Sequence, residues 1–191
     1  MVSSIGPRIK LDMKSTLPQN TIHYCPKCSS SEFSFKEDQS FLCNKCNFQL
    51  YINSAAAVAA LIVNDKGEIL FTKRAVEPHK GMLDLPGGFA DIMETAENAL
   101  SREIKEELNL DIKNHHYFMS SPNEYIFGGL SVFTLDLAYI CQLKTFNDIH
   151  AKDDISSYEF IAPNLIPYNK IGGESIKRIT YAFAKKLINE L

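Results

Sequence analysis

The stretch from Gly88 to Leu110, GFADIMETAENALSREIKEELNL, constrains this chain more than any other. It places Glu103, Glu106 and Glu107 within little more than one turn of a helix predicted from about Thr95 to Leu108. At about 100° per residue, with Glu103 at zero, Glu107 falls at about 40° and Glu106 at about 300°, beside Ala96, Ala99 and Leu100. Asn98, Ser101 and Lys105 take the opposite side, so the carboxylates share the core-facing stripe. Like charges there are opposed both by desolvation and by one another. An oxygen-preferring divalent cation, Mg2+ or Mn2+, is the partner that neutralises such a set beside phosphates. Arg102, at the margin of the stripe, can orient one carboxylate by a bidentate contact. Glu94 reads equally as half of an N-terminal capping box with Asp91 or as a residue close to the metal.

A second constraint lies upstream. Cys25-Pro26-Lys27-Cys28 and Cys43-Asn44-Lys45-Cys46 are two C-x2-C knuckles fourteen residues apart, close to the spacing of a four-thiolate structural zinc site. The residues between them, including Phe33, Phe35 and Phe41, can form a hairpin whose own core is small, and Zn2+ would supply the missing folding energy. A redox pair is the competing reading. Lys27, Lys36 and Lys45 are balanced by Glu32, Glu37 and Asp38, which favours a structural or homodimerising ribbon over a nucleic-acid module. Cys141, alone in an apolar run, reads as a buried core thiol.

Around these two features the chain divides into an N-terminal tail or loose edge strand (1–20), the ribbon (21–52) and a larger domain (53–191). The apolar run Ala55 to Val63, ended by Asn64-Asp65-Lys66-Gly67, reads as a buried strand with Glu68 to Lys73 as its hairpin partner, although an Ala-rich run is also compatible with helix. Leu83 to Leu85, Tyr117 to Ser120, Leu130 to Leu143 and Tyr158 to Ile161 read as further strands, and Gly173 to Leu191 as a final amphipathic helix. This order predicts an α/β domain with a mixed sheet covered on both faces. The 20 basic and 23 acidic side chains leave a net charge of −3, which provides no field for holding a polyanion. No segment approaches the ~18 apolar residues of a membrane span and no signal peptide opens the chain, so a cytoplasmic protein without a membrane partner is expected.

The acidic helix resembles the signature of the Nudix hydrolases, G-x5-E-x7-R-E-U-x-E-E-x-G-U with U aliphatic. Gly88, Glu94, Arg102, Glu103, Ile104, Glu106, Glu107 and Leu110 fill eight of its nine defined positions. Asn109 stands where the signature has Gly, at a helix end that needs a left-handed backbone, which Asn tolerates next best. The resemblance implies an αβα sandwich that hydrolyses a nucleoside diphosphate linked to another moiety. It implies Glu103, Glu106 and Glu107 as ligands of Mg2+ or Mn2+, with help from the backbone carbonyl near Gly88, and either Glu103 or Glu107 as the base that activates water.

A four-cysteine ribbon before such a domain resembles the NADH pyrophosphatase branch of that family. There the motif Ser-Gln-Pro-Trp-Pro-Phe follows the Nudix box; here Ser120-Ser121-Pro122-Asn123-Glu124-Tyr125 takes its place. Ser120 and Pro122 match and Tyr125 can replace the Phe, which makes these three the substrate-binding candidates. The missing Trp removes a stacking surface and Glu124 adds negative charge, so NAD(H) and ADP-ribose both stay on the substrate list. Asp154 resembles an extra metal ligand of the branch, with Glu159 as the competing choice. Lys73-Arg74 and His79-Lys80 sit near the expected cleft, where contact with substrate phosphates competes with exposed charge, the simpler reading; His115 and His116 receive no role. The partner these features imply is a nucleotide-derived small molecule, or an NAD-type cap on an RNA end. Damaged nucleoside triphosphates, and a non-catalytic sensor whose ribbon binds another protein, are the alternatives.

Overall fold

The computed structural model describes residues 15–189. The chain forms two compact units, one holding the described residues up to Asn53 together with Ile126–Ser131, the other Ser54–Tyr125 and the described residues from Val132 onward.

In the first unit, α1 (Pro18–Thr21) is a single helical turn opened by a proline, and Leu17 before it is 1% exposed. Ser131 N–H donates to the Thr16 carbonyl at 2.7 Å. Residues 15–21 are therefore anchored by burial and backbone pairing where a tail or loose edge strand was expected; residues 1–14 lie outside the described residues. The ribbon is a three-stranded antiparallel sheet of β1 (Phe33–Phe35), β2 (Ser40–Cys43) and β3 (Gln49–Tyr51), with Phe33 opposite Cys43 and Phe35 opposite Phe41. Its core is Cys25, Phe33, Phe41 and Cys43, too little apolar surface to hold a fold unaided.

In the second unit, β4 (Ala55–Ile62) runs parallel to β8 (Leu130–Leu143), from Ala55 opposite Thr134 to Ile62 opposite Cys141. The Ala-rich run is thus a strand, and its two faces explain why. Val58, Ala60 and Ile62 enter the core beneath α2 (Ala96–Leu108), whereas Ala59 and Leu61 enter the core beneath α3 (Glu174–Asn189). A strand covered on both faces reads as a continuous apolar run. Cys141 belongs to the first of these cores, where burial pushes its thiol up to about 12.

Two expectations change here. Val63 and Ile69 bridge across the Asn64–Gly67 turn, but the strands then part: β5 (Ile69–Arg74) pairs with β6 (Leu83–Asp84) and β9 (Ile155–Ile161), while β4 joins β8 and β7 (Ile112–Phe127). The expected mixed sheet is β4–β8–β7, with β4 parallel to β8, and β6–β5–β9 form a second sheet, because eight residue pairs with β8 outweigh the one bridge across the turn. The strand expected to end at Ser120 continues through the Ser120 to Tyr125 motif, which lies inside β7. The last two residues of the expected C-terminal helix fall outside the described residues.

Helix α2 begins at Thr95, whose side chain accepts from Asn98 N–H at 3.2 Å, and ends at Asn109 with φ 57° and ψ 28°. Asn109 therefore adopts the left-handed conformation that its place in the signature demands.

Candidate active site

Residues 85–89 run alongside β4, with the Gly88 carbonyl accepting from Val58 N–H at 2.8 Å. Gly87 is required by contact with backbone, and Gly88 leaves room for the Glu103 carboxylate. A Cβ on Gly87 (φ +142°) would lie 2.1 Å from the Val58 carbonyl oxygen, and one on Gly88 would lie 2.6 Å from the Glu103 carboxyl carbon. Gly87 N–H donates to Glu107 Oε2 at 3.0 Å. The turn thus seats two carboxylates of α2, while one lone pair of the Gly88 carbonyl, the expected metal contact, is taken up by Val58.

The carboxylates are graded in burial, which the helical projection missed. The buried stripe of α2 is Ala99, Leu100, Ile104, Glu107 and Leu108, centred on Leu100 and Ile104 and not on Glu103. Glu107 is 6% exposed, the Glu103 side chain 14% and the Glu106 side chain 49%. Burial pushes Glu107 up to about 8, with the Gly87 N–H opposing and the charges of Glu103 and Asp84 adding. Glu103 is raised in the same direction by burial, against the pull of Arg102.

Arg102 gathers the site. Its Nε and Nη2 grip Glu94 Oε1 and Oε2 at 3.0 and 2.8 Å, and Nη2 also donates to the Phe89 carbonyl at 2.9 Å. Its Nη1 donates to Glu103 Oε1 at 2.7 Å and to Glu106 Oε2 at 3.1 Å. All five N–H donors of the guanidinium are used. Glu94, expected as a cap or a metal neighbour, anchors Arg102, and its carboxyl is held below its ordinary range by that hydrogen bond first of all. It also accepts from Asp91 N–H at 2.9 Å, but the cap of α2 is Thr95, so Asp91 and Glu94 form no capping box.

Arg102, Glu103, Glu106 and Glu107 line one cavity of about 320 Å3, together with Asp84, Asp153, Asp154, Phe89, Asp91 and Arg74. Seven carboxylates there face two guanidiniums. Asp84, overlooked in the sequence, is held by Arg74 Nη1 at 3.0 Å, yet burial still pushes it up to about 6. Asp153 was also overlooked, since an acidic pair in a loop carries no periodic signal. Of the two competing carboxylates, Asp154 lines this cavity whereas Glu159 lines a different one with Lys73 and Lys170. Ser120, Pro122 and Tyr125 do not line the acidic cavity. Pro122 is exposed, its carbonyl held by Arg178 Nη2, and the same guanidinium's Nε donates to the Ser121 hydroxyl at 2.9 Å. Tyr125 is half-buried; burial raises its hydroxyl, with Arg74 opposing. His79 packs against Gly172, and Lys80 is exposed.

The acid set fits a divalent cation: its donors are all oxygen, it exceeds its own cations, and its most buried member favours the protonated form. The carboxylates do not close on one point, for among the described residues only the cysteines bring every ligand atom within 4.8 Å. The thiols fit a tetrahedral ion. Cys25 to Cys46 and Cys28 to Cys43 are 3.7 and 3.6 Å apart between sulfurs, against about 3.8 Å for four sulfurs about 2.3 Å from a tetrahedral centre. Burial works against the Cys43 thiolate, but the N–H groups of Cys46 and Lys45 outweigh it and bring the thiol down to about 7.

Comparison with known proteins agrees with this geometry. The ADP-ribose pyrophosphatase of Methanocaldococcus jannaschii is 37% identical over 124 residues, 63% of this chain and 69% of that protein. The NAD-capped RNA hydrolase NudC of Yersinia enterocolitica is 32% identical over 99 residues, 52% of this chain and only 37% of that protein. The crystal structure of a NUDIX hydrolase from Nitrosomonas europaea superposes with a TM-score of 0.62 at 20% identity, covering 86% of this chain and 92% of that one. Residues 53–182 match the NUDIX domain model. On that match, the chain belongs to the Nudix family of hydrolases, enzymes that depend on divalent metal and act on nucleotide-derived substrates.

Proposed function

We propose that the acidic cavity hydrolyses the pyrophosphate bond of a nucleoside diphosphate linked to another moiety, with ADP-ribose and NAD(H) as the substrates. The observation that carries this reading is the convergence of Glu103, Glu106, Glu107 and Asp154 with Arg74 on one cavity. The names of the Methanocaldococcus and Yersinia relatives support the substrate class. An NAD-type cap on RNA presents the same bond and belongs to the same reading.

Glu103, Glu106 and Glu107, with Asp154, are the residues we assign to Mg2+ or Mn2+. Bound there, the ion would neutralise phosphate charge and lower the pKa of a bound water. Arg102 fixes Glu103 and Glu106 on one side of the cavity, and Glu94 fixes Arg102. Either Glu103 or Glu107 accepts the proton of the attacking water; both are carboxylates held above their ordinary range by burial, which moves a base toward neutral working pH. Zn2+ in the four-cysteine group is structural in this reading. Two C-x2-C knuckles at zinc-site spacing support a cytoplasmic setting, and the ribbon's balanced charge supports a homodimer contact.

The test is product chromatography of the purified chain and a Glu107→Gln control with Mg2+ or Mn2+ and ADP-ribose, NAD+, NADH and nucleoside triphosphates. ADP-ribose and water should give AMP and ribose 5-phosphate. Turnover confined to the triphosphates, or none with either ion, would overturn the reading.

A further inference from the structure

We propose that the face formed by the single 3-10 turn Tyr168–Lys170 and the exposed side of α3 binds the single-stranded RNA that follows an NAD-type cap; this rests on the pyrophosphatase reading above. Two cavities flank the turn. One, of about 330 Å3, is lined by Lys73, Glu159, Asn169 and Lys170 among others, and the second, of about 210 Å3, by Pro163, Tyr168, Tyr181, Lys185 and Ile188. Tyr168 and Asn169 are adjacent in the chain, so the cavities lie side by side. Three ammonium groups there stand against one carboxylate, Glu159. Among the described residues, none of the three has a carboxylate or hydrogen-bond partner.

The second cavity adds what a phosphate alone does not need. Tyr181, Ala184, Lys185 and Ile188 fall at i, i+3, i+4 and i+7, on one face of α3. Tyr181 meets Tyr168 edge-on, with ring centroids 6.0 Å apart at 63°, and stays 60% exposed. That contact fixes the ring and leaves a face of it open. A fixed aromatic face with an ammonium one helical turn away suits a nucleotide of any sequence, since the base stacks and the phosphate is neutralised. A purely apolar partner would instead cover Lys170 and Lys185 without pairing them. The face also adjoins the candidate active site. Neighbouring residues of β5 serve different cavities, Arg74 the acidic one and Lys73 this one, so a strand whose cap sits among the carboxylates meets cations one residue away. The net charge of −3 gives the whole chain no hold on a polyanion, and retention of RNA therefore depends on this local surplus.

The experiment measures binding of a short NAD-capped single-stranded RNA, and of NAD+ alone, to the full chain in the Glu107→Gln background, across a range of salt at fixed Mg2+. Capped RNA should bind more tightly than NAD+, with an affinity that falls as salt rises. Lys170→Gln and Lys185→Gln should each weaken it and flatten the slope of log affinity against log salt by about 0.7, the share of one phosphate contact on a single strand. Tyr181→Ser should cost about ten-fold through lost stacking, and Tyr181→Phe should restore it. Glu159→Gln should tighten RNA binding, a gain that a structural role would not produce. ADP-ribose turnover on the wild-type background should not move in any of these. Capped RNA that binds no better than NAD+, a Lys170→Gln/Lys185→Gln double variant with wild-type RNA affinity, or RNA and ADP-ribose losses in parallel would overturn the proposal. If Tyr181→Ser fails to fold, the lysine variants and Glu159→Gln decide it. Robust ADP-ribose turnover without a gain from RNA removes the RNA face and keeps the pyrophosphatase reading. A chain that cleaves neither substrate, yet binds RNA through Lys170 and Lys185, does the reverse.

Discussion

Replacing Glu107 with Gln should make the protein more stable in alkaline buffer and leave it unchanged in acid, provided Mg2+ and Mn2+ are absent. Burial at 6% exposure holds this carboxyl up to about 8 in the fold against an ordinary 4.5. A raised carboxyl favours the folded state fully below about 4.5 and loses that contribution as the pH climbs through about 8. The slope can reach one proton, about 1.4 kcal/mol per pH unit. From pH 5 to 8 the wild type should therefore lose roughly 3–4 kcal/mol relative to Gln, which has the shape of the protonated acid and keeps an oxygen for the Gly87 N–H. At roughly 2–4 °C per kcal/mol for a chain of this size, the two melting curves should separate by roughly 10 °C at pH 8. The assay is thermal denaturation across that range in buffer freed of Mg2+ and Mn2+, without a chelator that would strip the four-cysteine group. Adding Mg2+ should then stabilise the wild type increasingly with pH and the variant little. Midpoints that stay parallel from pH 5 to 8, or a variant less stable at pH 8, would refute the argument that Glu107 is a buried acid awaiting a cation.

Four further outcomes follow from named contacts. Gly88→Ala drives a methyl group to 2.6 Å from the Glu103 carboxyl and must displace that carboxylate, so turnover should collapse while stability in a urea titration falls by at most about 1 kcal/mol. Arg102→Lys leaves three donors for five acceptors and should lower both kcat and stability, the latter by about 1–3 kcal/mol. Asn109→Ala puts a Cβ-restricted residue at φ 57° and should cost roughly 1–2 kcal/mol, a loss that Asn109→Gly avoids. Cys43→Ser should abolish bound zinc in metal analysis and remove hydrogen-exchange protection from Phe33–Cys43, while Ala55–Ile62 stays protected.

Local chemistry was readable and distant pairing was not. The extent of α2, its left-handed end at Asn109 and the paired thiols all depend on residues a few positions apart, where helix geometry and ligand spacing decide the outcome. The strand partners of β4 and β5 could not be read, because a tight turn signals a hairpin whether or not the strands later part into separate sheets. Ser120 to Tyr125 carries a proline and polar residues yet lies in β7, as Arg178 holds Pro122 and Ser121 from α3. That clamp has no local trace. Asp84 was passed over for a similar reason: its neighbours announce a short buried strand, and only Arg74, ten residues earlier, reveals why a carboxylate sits there.

The sequence by itself determined that three glutamates would share one end of a helix and that four thiols would find one another, since both follow from spacing along the chain. The tertiary structure decided which glutamate is buried, that Arg102 exhausts its donors on its neighbours, that Asp84, Asp153 and Asp154 join the cavity, and that Arg74 turns toward it while Lys73 turns away. Burial and electrostatic coupling depend on what the rest of the fold brings within a few ångströms, and no local pattern encodes that.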